Sequence, residues 1–222
     1  MARTVTLASL QAQVRQRADM LASSFVTDDE LAEYINQSVA ELYDLLVQTD
    51  EDFYTRGLEQ TVTTPAIALP ADFYKLRGVD ARVSGNEFRA LERVEFGERN
   101  DVAWSGQPFS TGPTGHRVLN DSLVFLPVGS PPFYMRLWYV PVPPRLNSAG
   151  TITFDGNAGW EEYAVVDAAI KCLQKEESDV SVLMAQKEAM RQRVLAHASR
   201  DISGPRRIAR TRGRGARQFR GW

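Results

Sequence analysis

The run from Trp160 to Ser199 is the longest uninterrupted helical pattern in the chain, and it limits the possible folds more than any other stretch. Large apolar side chains return at Trp160, Tyr163, Val166, Ile170 and Leu173, the spacing that lines one face of an α-helix. That helix should stop near Glu177, because Ser178 and Asp179 are good N-cap residues for a new one. Behind them Val180, Leu183, Met184, Met190, Val194 and Leu195 set up a second amphipathic stripe. The pattern predicts a helix pair joined by a polar hinge.

The other end of the chain reads the same way. Leu7, Leu10, Val14, Met20 and Leu21 lie on a loose stripe with Arg15 and Arg17 outside it, which predicts a helix from about Thr6 to Ala22. Thr27-Asp28-Asp29-Glu30 fits a capping box, in which hydroxyl and carboxylate each satisfy a free backbone donor. Leu31, Tyr34, Ile35, Val39, Leu42, Leu45 and Leu46 then trace an apolar face to about Gln48. Two helices at each end imply a bundle with its termini together.

Between Phe53 and about Phe154 the grammar changes to short β-prone runs punctuated by most of the prolines and glycines. Tyr54 to Thr63 and Lys75 to Val83 read as strands, and Phe88 to Leu91 follows Gly85-Asn86 closely enough for a hairpin. Leu91 to Asn100 reads as a short surface helix. Arg117 to Leu119 and Leu123 to Leu126 flank an Asn120-Asp121 turn, and Phe133 to Val140 suits a strand packed on both faces. Trp104 to Gly115 is too rich in breakers for regular structure yet carries Trp104 and Phe109, as an interaction loop does. Pro141-Val142-Pro143-Pro144 is most simply a stiff linker leaving the sheet. The expected fold class is α+β: an α-helical bundle from N- and C-terminal helices with an inserted small antiparallel β domain and a disordered basic arm. The divisions fall at 1–52, 53–155, 156–201 and 202–222.

Chemistry is sparse. His116 and His197 have no Cys, His or acidic neighbour at metal-ligand spacing, so no metal is expected. There is no phosphate-binding Gly-x-x-x-x-Gly-Lys loop and no nucleophile elbow, and Gly213-Arg214-Gly215 lacks the strand and helix of a dinucleotide fingerprint. Cys172, the one cysteine, has no intrachain partner and reads as a small buried side chain. Neither an enzyme nor a cofactor is expected. No apolar run is long enough to span a bilayer and the first residues lack a signal-peptide core, so folding in a cytoplasm is expected. Carboxylate pairs such as Glu161-Glu162 and Glu176-Glu177 are ordinary solvated helix faces; alternatively, Glu161, Glu162 and Asp167 meet basic residues of a neighbouring subunit.

Charge is unevenly spread. Residues 202–222 contain Arg206, Arg207, Arg210, Arg212, Arg214, Arg217 and Arg220 and no acid, which leaves 19 of the 26 basic residues against 28 acidic ones, a balance of −9. Beyond Gly204-Pro205 the segment has too little apolar content to pack on itself and is expected to order only on a partner. Two readings stand. Arginines interleaved with Gly, Phe219 and Trp222 suit a nucleic-acid-binding Arg-Gly segment, and equally a tether whose guanidinium groups pair with carboxylates while Phe219 and Trp222 anchor in pockets.

Trp-Glu-Glu-Tyr at 160–163, Asp-Ala-Ala-Ile-Lys at 167–171, Lys-Glu-Glu-Ser-Asp at 175–179 and Leu-Met-Ala-Gln-Lys at 183–187 together resemble the C-terminal helices of head-to-tail adaptor (connector) proteins of tailed bacteriophages. The resemblance implies a structural protein of the virion neck, made in the host cytoplasm, that joins capsid to tail. Such a protein forms a ring below the portal, commonly a dodecamer, and contributes to a DNA channel through which DNA passes without specific binding. Portal protein, tail or nozzle proteins and further copies of itself are the implied partners, with no membrane. Under this resemblance the Arg-rich segment, with Phe219 and Trp222, becomes a portal-docking arm, and Trp160, Glu161, Glu162, Tyr163 and Asp167 become candidate ring contacts. A tail-tube or nozzle-associated protein with similar helices, and a nucleic-acid-binding module acting through the Arg-Gly tail, are the alternatives.

Overall fold

The computed structural model describes residues 3–98, 112–127, 132–143, 145–147, 151–154 and 160–197. The expected interaction loop around Trp104 and Phe109, and the arm from Arg206 to Trp222, lie outside the described residues.

The chain opens with strand β1 (Arg3–Thr6), which pairs antiparallel with β10 (Thr151–Phe154) in the register Arg3↔Phe154 to Thr6↔Thr151. Neither strand is legible as one, since each is only four residues long, too short for the Thr-Ile-Thr-Phe alternation of β10 to stand out. Thr6 closes β1 and caps α1 (Leu7–Arg17), its hydroxyl accepting from the Ser9 N–H at 3.1 Å. Helix α1 is shorter than the expected Thr6–Ala22 because Asp19 turns to φ 56°, ending the helical ladder. Arg15 then ties the following turn down, donating to the carbonyls of Ser23 (3.1 Å) and Val26 (3.0 Å) and to Asp28 Oδ1 (2.8 Å).

Helix α2 (Asp28–Thr49) starts where the cap predicts, with the Thr27 hydroxyl accepting from the Glu30 N–H at 3.2 Å. The reciprocal half is the weaker one, a backbone bond from Thr27 to the Glu30 carboxylate. The Glu30 carboxylate bonds more strongly to Lys175 Nζ at 2.6 Å and to the Tyr34 hydroxyl at 2.9 Å, where a cation is available. A short α3 (Glu51–Tyr54) follows, and the chain later returns through α4 (Glu161–Lys175) and α5 (Ser181–His197). Leu10 and Val14 of α1, Leu31, Ile35 and Leu42 of α2, Tyr163 and Ala168 of α4 and Val194 of α5 share one hydrophobic core. Of the four long helices α5 contributes least to it, with Val182 67% and Met184 52% exposed.

The β insertion carries a second core. One sheet has the order β2 (Arg56–Val62), β9 (Phe133–Pro141), β4 (Phe73–Ser84), β5 (Glu87–Ala90), with all neighbours antiparallel. The other has β3 (Ala66–Ala68), β8 (Ser122–Leu126), β7 (Gly115–Leu119), β6 (Glu92–Arg93), with only β6–β7 parallel. Val62, Val79, Met135 and Leu137 from the first sheet meet Leu123 and Phe125 from the second. The expected helix at Leu91–Asn100 is absent over its described part. Glu92 and Val94 donate instead to the carbonyls of Thr114 and His116, burying Leu91 and Val94, and only Phe96–Glu98 makes a 3₁₀ turn. Backbone pairing with β7 outweighs a weak local helix preference. Pro141 belongs to β9, and Val142 still donates to Asp72 O at 2.7 Å, so the expected linker remains bonded to the sheet at its start.

The two cores are joined where α2 and α3 meet the first sheet. The Tyr43 hydroxyl donates to Pro141 O at 3.0 Å and that of Tyr74 to Asp44 at 2.8 Å, while Arg77 pairs with Glu51 and Asp52. Asn36 and Leu146 exchange side chain-to-backbone bonds at 2.7 and 3.1 Å.

Candidate assembly site

The candidate ring contacts cluster on α4, and α4 is the most enclosed helix of the protein. Ten of its residues are buried, because α1, α2 and α5 all pack on it. Trp160 (5% exposed), Glu161 (3%), Tyr163 (1%) and Asp167 (3%) face inward within the chain. Glu162 keeps about a third of its side chain open and pairs with Arg17 of α1. The Arg193 guanidinium sits 5.1 Å from the Trp160 ring centroid, stacking α5 onto the start of α4.

Asp167 is the hub. Its Oδ2 accepts from Ser38 Oγ at 2.6 Å and from Lys171 Nζ at 2.7 Å, and its Oδ1 from Lys187 Nζ at 2.7 Å. Lys187 also reaches Glu41 at 2.9 Å, and Glu41 accepts from the Tyr163 hydroxyl at 2.7 Å. Three helices are thus tied through one carboxylate. Burial alone would raise the Asp167 carboxyl, but the bonds from Lys171, Lys187 and Ser38 outweigh it and hold it below the usual carboxylate range. Burial likewise opposes the Lys187 charge, and Asp167 and Glu41 overcome it, raising the ammonium. Burial, followed by the bond to Glu41, pushes the Tyr163 phenol far up, so it stays a neutral donor. Asp167 and Lys171 at i and i+4 are a pair visible in the sequence, whereas Ser38, Glu41 and Lys187 are brought in from other helices and carry no local signal.

A second polar array covers the outer face of the first sheet. The Arg82 guanidinium lies 3.9 Å from the Tyr134 ring centroid, and that of Arg136 lies 4.1 Å from Phe88. Glu59 accepts from the Tyr134 hydroxyl and from Arg136 Nε, both at 2.6 Å, and Trp138 Nε1 donates to Asp80 at 2.7 Å. The Trp138 ring rests over Gly57, where an added Cβ would come within 3.0 Å of it. Alternation in β9 puts Tyr134, Arg136 and Trp138 on this face, with Met135 and Leu137 in the core.

The remaining candidates are quickly placed. Cys172 is buried, and burial pushes its thiol up to about 11. His116 is buried and its imidazole lowered, by burial first, so it is neutral at pH 7. Among the described residues no group of His, Cys, Asp and Glu could hold a metal ion, and no helix is long and apolar enough to cross a membrane. The arm residues Arg206, Arg207, Arg210, Arg212, Arg214, Arg217, Phe219, Arg220 and Trp222 lie outside the described residues.

The described residues of this protein thus carry a carboxylate-centred clamp between three helices and a charge-balanced aromatic face on the sheet. Its family is specific. The family model described as SU10 adaptor protein matches residues 5–216, and the chain belongs to that family of phage adaptor proteins. Membership makes it a virion component that interacts with other virion proteins. No curated protein matches the chain.

Proposed function

We propose that this protein is a head-to-tail adaptor of the virion neck, forming a ring below the portal that joins capsid to tail and lines part of the DNA channel. The family match over residues 5–216 carries this reading. The ring, by analogy a dodecamer, needs heterologous contacts in which one patch meets a different patch on the next copy. Within it, the N- and C-terminal helices act as a bundle forming the wall, and residues 202–222 form the arm that docks on the portal. Glu162 is the ring-contact candidate with open surface, while Trp160, Glu161, Tyr163 and Asp167 act from beneath by fixing α4. DNA passes the acidic body without specific binding, since an excess of about nine negative charges on each body, residues 202–222 apart, repels it. The protein catalyses nothing in this role.

Electron microscopy of the protein mixed with portal protein tests the reading directly. Rings seated under the portal are expected. Monomers whose DNA binding falls steeply with salt and disappears on deletion of 205–222 would instead favour the nucleic-acid module, which the seven arginines of the arm keep in view.

A further inference from the structure

The bend between α4 and α5 is made of residues that do not require one. No glycine or proline stands between Glu161 and His197, and the hinge Glu176-Glu177-Ser178-Asp179-Val180 holds only side chains that an α-helix accepts. What breaks the helix is Glu177, turned to φ 56°, a left-handed conformation that a residue with a Cβ enters at a cost. Around it the Glu177 N–H donates to Gln174 O at 3.2 Å and the Ser178 N–H to Leu173 O at 3.0 Å. In a continuous helix the same two donors meet the same two acceptors, exchanged: Glu177 with Leu173, and Ser178 with Gln174. Straightening therefore loses no backbone hydrogen bond at these positions and relieves Glu177. What it gives up is the Asp179 cap, whose carboxylate accepts from the Ser181 N–H at 2.9 Å and the Ser181 hydroxyl at 3.0 Å.

Helix α5 is lightly held on its seat. Val194 is buried, while Leu183, Met190 and Leu195 are only partly so, and the middle of that narrow seam is Lys187, bonded to Asp167 and Glu41. The seat is nonetheless particular about its occupant. Asp167 is 4% exposed and its Oδ1 is met by Lys187, so an empty seat leaves a buried carboxylate oxygen unpaired beside the hollow of Val194. A detached α5 is stable only if an identical helix replaces it and it finds an identical seat.

We propose that α5 is exchanged between copies of this chain: α4 and α5 straighten into one helix about 55 Å long at 1.5 Å per residue, and α5 takes on the next copy the seat it leaves on its own. The contacts of the seat are then re-formed across the boundary, Lys187 of one copy with Asp167 and Glu41 of the next, and Arg193 with Trp160. Because the same contacts are made before and after, the exchange is a low-cost route to association. The inference rests on the ring reading, since a head-to-tail series of such exchanges is a heterologous contact that closes a ring. It also returns Trp160, Tyr163 and Asp167, enclosed by α5 within one chain, to the boundary between copies.

The test mixes equal amounts of ¹⁴N- and ¹⁵N-labelled full-length protein with portal protein, fixes salt bridges with a zero-length carbodiimide, and reads the isotopes of each linked peptide pair by mass spectrometry, with electron microscopy of the same sample. Lys187–Glu41 links should join heavy to light chains as often as they join like chains. Lys175–Glu30 links, which tie α4 to α2 without α5, should stay within one isotope. Glu177→Gly changes an exposed residue to one that takes a positive φ freely and weakens a continuous helix, so it should lower the heavy-to-light fraction at least about tenfold. Rings whose Lys187–Glu41 links all stay within one isotope overturn the exchange and leave the ring reading standing. Heavy-to-light links without rings keep the exchange and count against the ring, and the absence of both overturns both. Heavy-to-light links that Glu177→Gly leaves unchanged overturn the hinge and the proposal with it.

Discussion

Lys187 Nζ lies 2.7 Å from Asp167 Oδ1, bonding α5 to the most enclosed helix of the protein through a carboxylate only 4% exposed. Nothing apolar on α5 matches the strength of that tie, since Val194 is its only fully buried side chain. Removing one partner of a buried pair leaves an uncompensated charge, which is costlier than the pair itself is stabilising. Lys187→Ala should therefore destabilise the protein by about 2–3 kcal/mol, the Lys171 bond retaining part of the compensation. Urea unfolding followed by circular dichroism measures it, and a loss below about 0.5 kcal/mol would mean the tie is slack.

The same carboxylate sets a pH dependence. Its folded value is depressed, so its contribution is fully present above the unfolded value of about 3.9 and is lost as pH falls through the lower folded value. Wild type and Asp167→Asn should differ most near neutral pH and converge below about pH 3.9. Urea midpoints between pH 7 and 3 follow this, and a difference that grows on acidification contradicts it.

Gly57 stands opposite Trp138 in the β2–β9 register, and a Cβ there would meet the ring at 3.0 Å. Gly57→Val should cost about 1–3 kcal/mol by forcing the indole off its bed and away from Asp80. The same substitution on a Trp138→Ala background should cost markedly less, because neighbours that share one contact are not additive. Thermal melts of the four proteins in that cycle decide it.

The Thr27 hydroxyl makes the main cap bond of helix α2, and the Glu30 carboxylate returns a weaker one to the Thr27 backbone. Thr27→Ala should cost about 1 kcal/mol, whereas Glu30→Ala should act through Lys175 and loosen α4 from α2. The two effects should add in a double-mutant cycle. Strong coupling between them would show that the reciprocal half of the capping box outweighs the Lys175 bond.

Cys172 tests the helical core. With its thiol pushed up to about 11 and its side chain buried, alkylation by iodoacetamide at pH 8 should be negligible in the native protein and complete in urea. Rapid native labelling would mean that α4 opens readily.

The arm carries the prediction closest to assembly. Truncation at Gly204 should leave the unfolding midpoint of the body unchanged and abolish attachment to portal-bearing capsids, giving filled heads without tails. Phe219→Ala with Trp222→Ala should weaken docking at moderate salt, because apolar anchoring is not screened as charge pairing is. Co-sedimentation with portal-bearing capsids measures both, and unchanged attachment would pass the lead to the nucleic-acid reading.

Periodicity and capping residues determined three of the four long helices to within a few residues, while α1 ends at Arg17, well short of the expected Ala22. Apolar stripes such as Leu31, Ile35, Leu42 and Leu46 have one economical way to leave water, and Thr27 has one place to cap. Alternation and turn residues likewise determined the hairpins at Gly85-Asn86 and Asn120-Asp121. Tertiary structure decided what depends on distant partners. Strands β1, β3, β6 and β10 are too short to show a period and exist because a neighbouring backbone satisfies their amides. Asp167 reads as one more acid on a helix until Ser38 and Lys187, 129 residues before it and 20 after, close around it. The inward turn of Trp160, Glu161 and Tyr163 follows from α4 being wrapped on several sides, a fact of packing that an amphipathic pattern, which records one apolar face, does not contain.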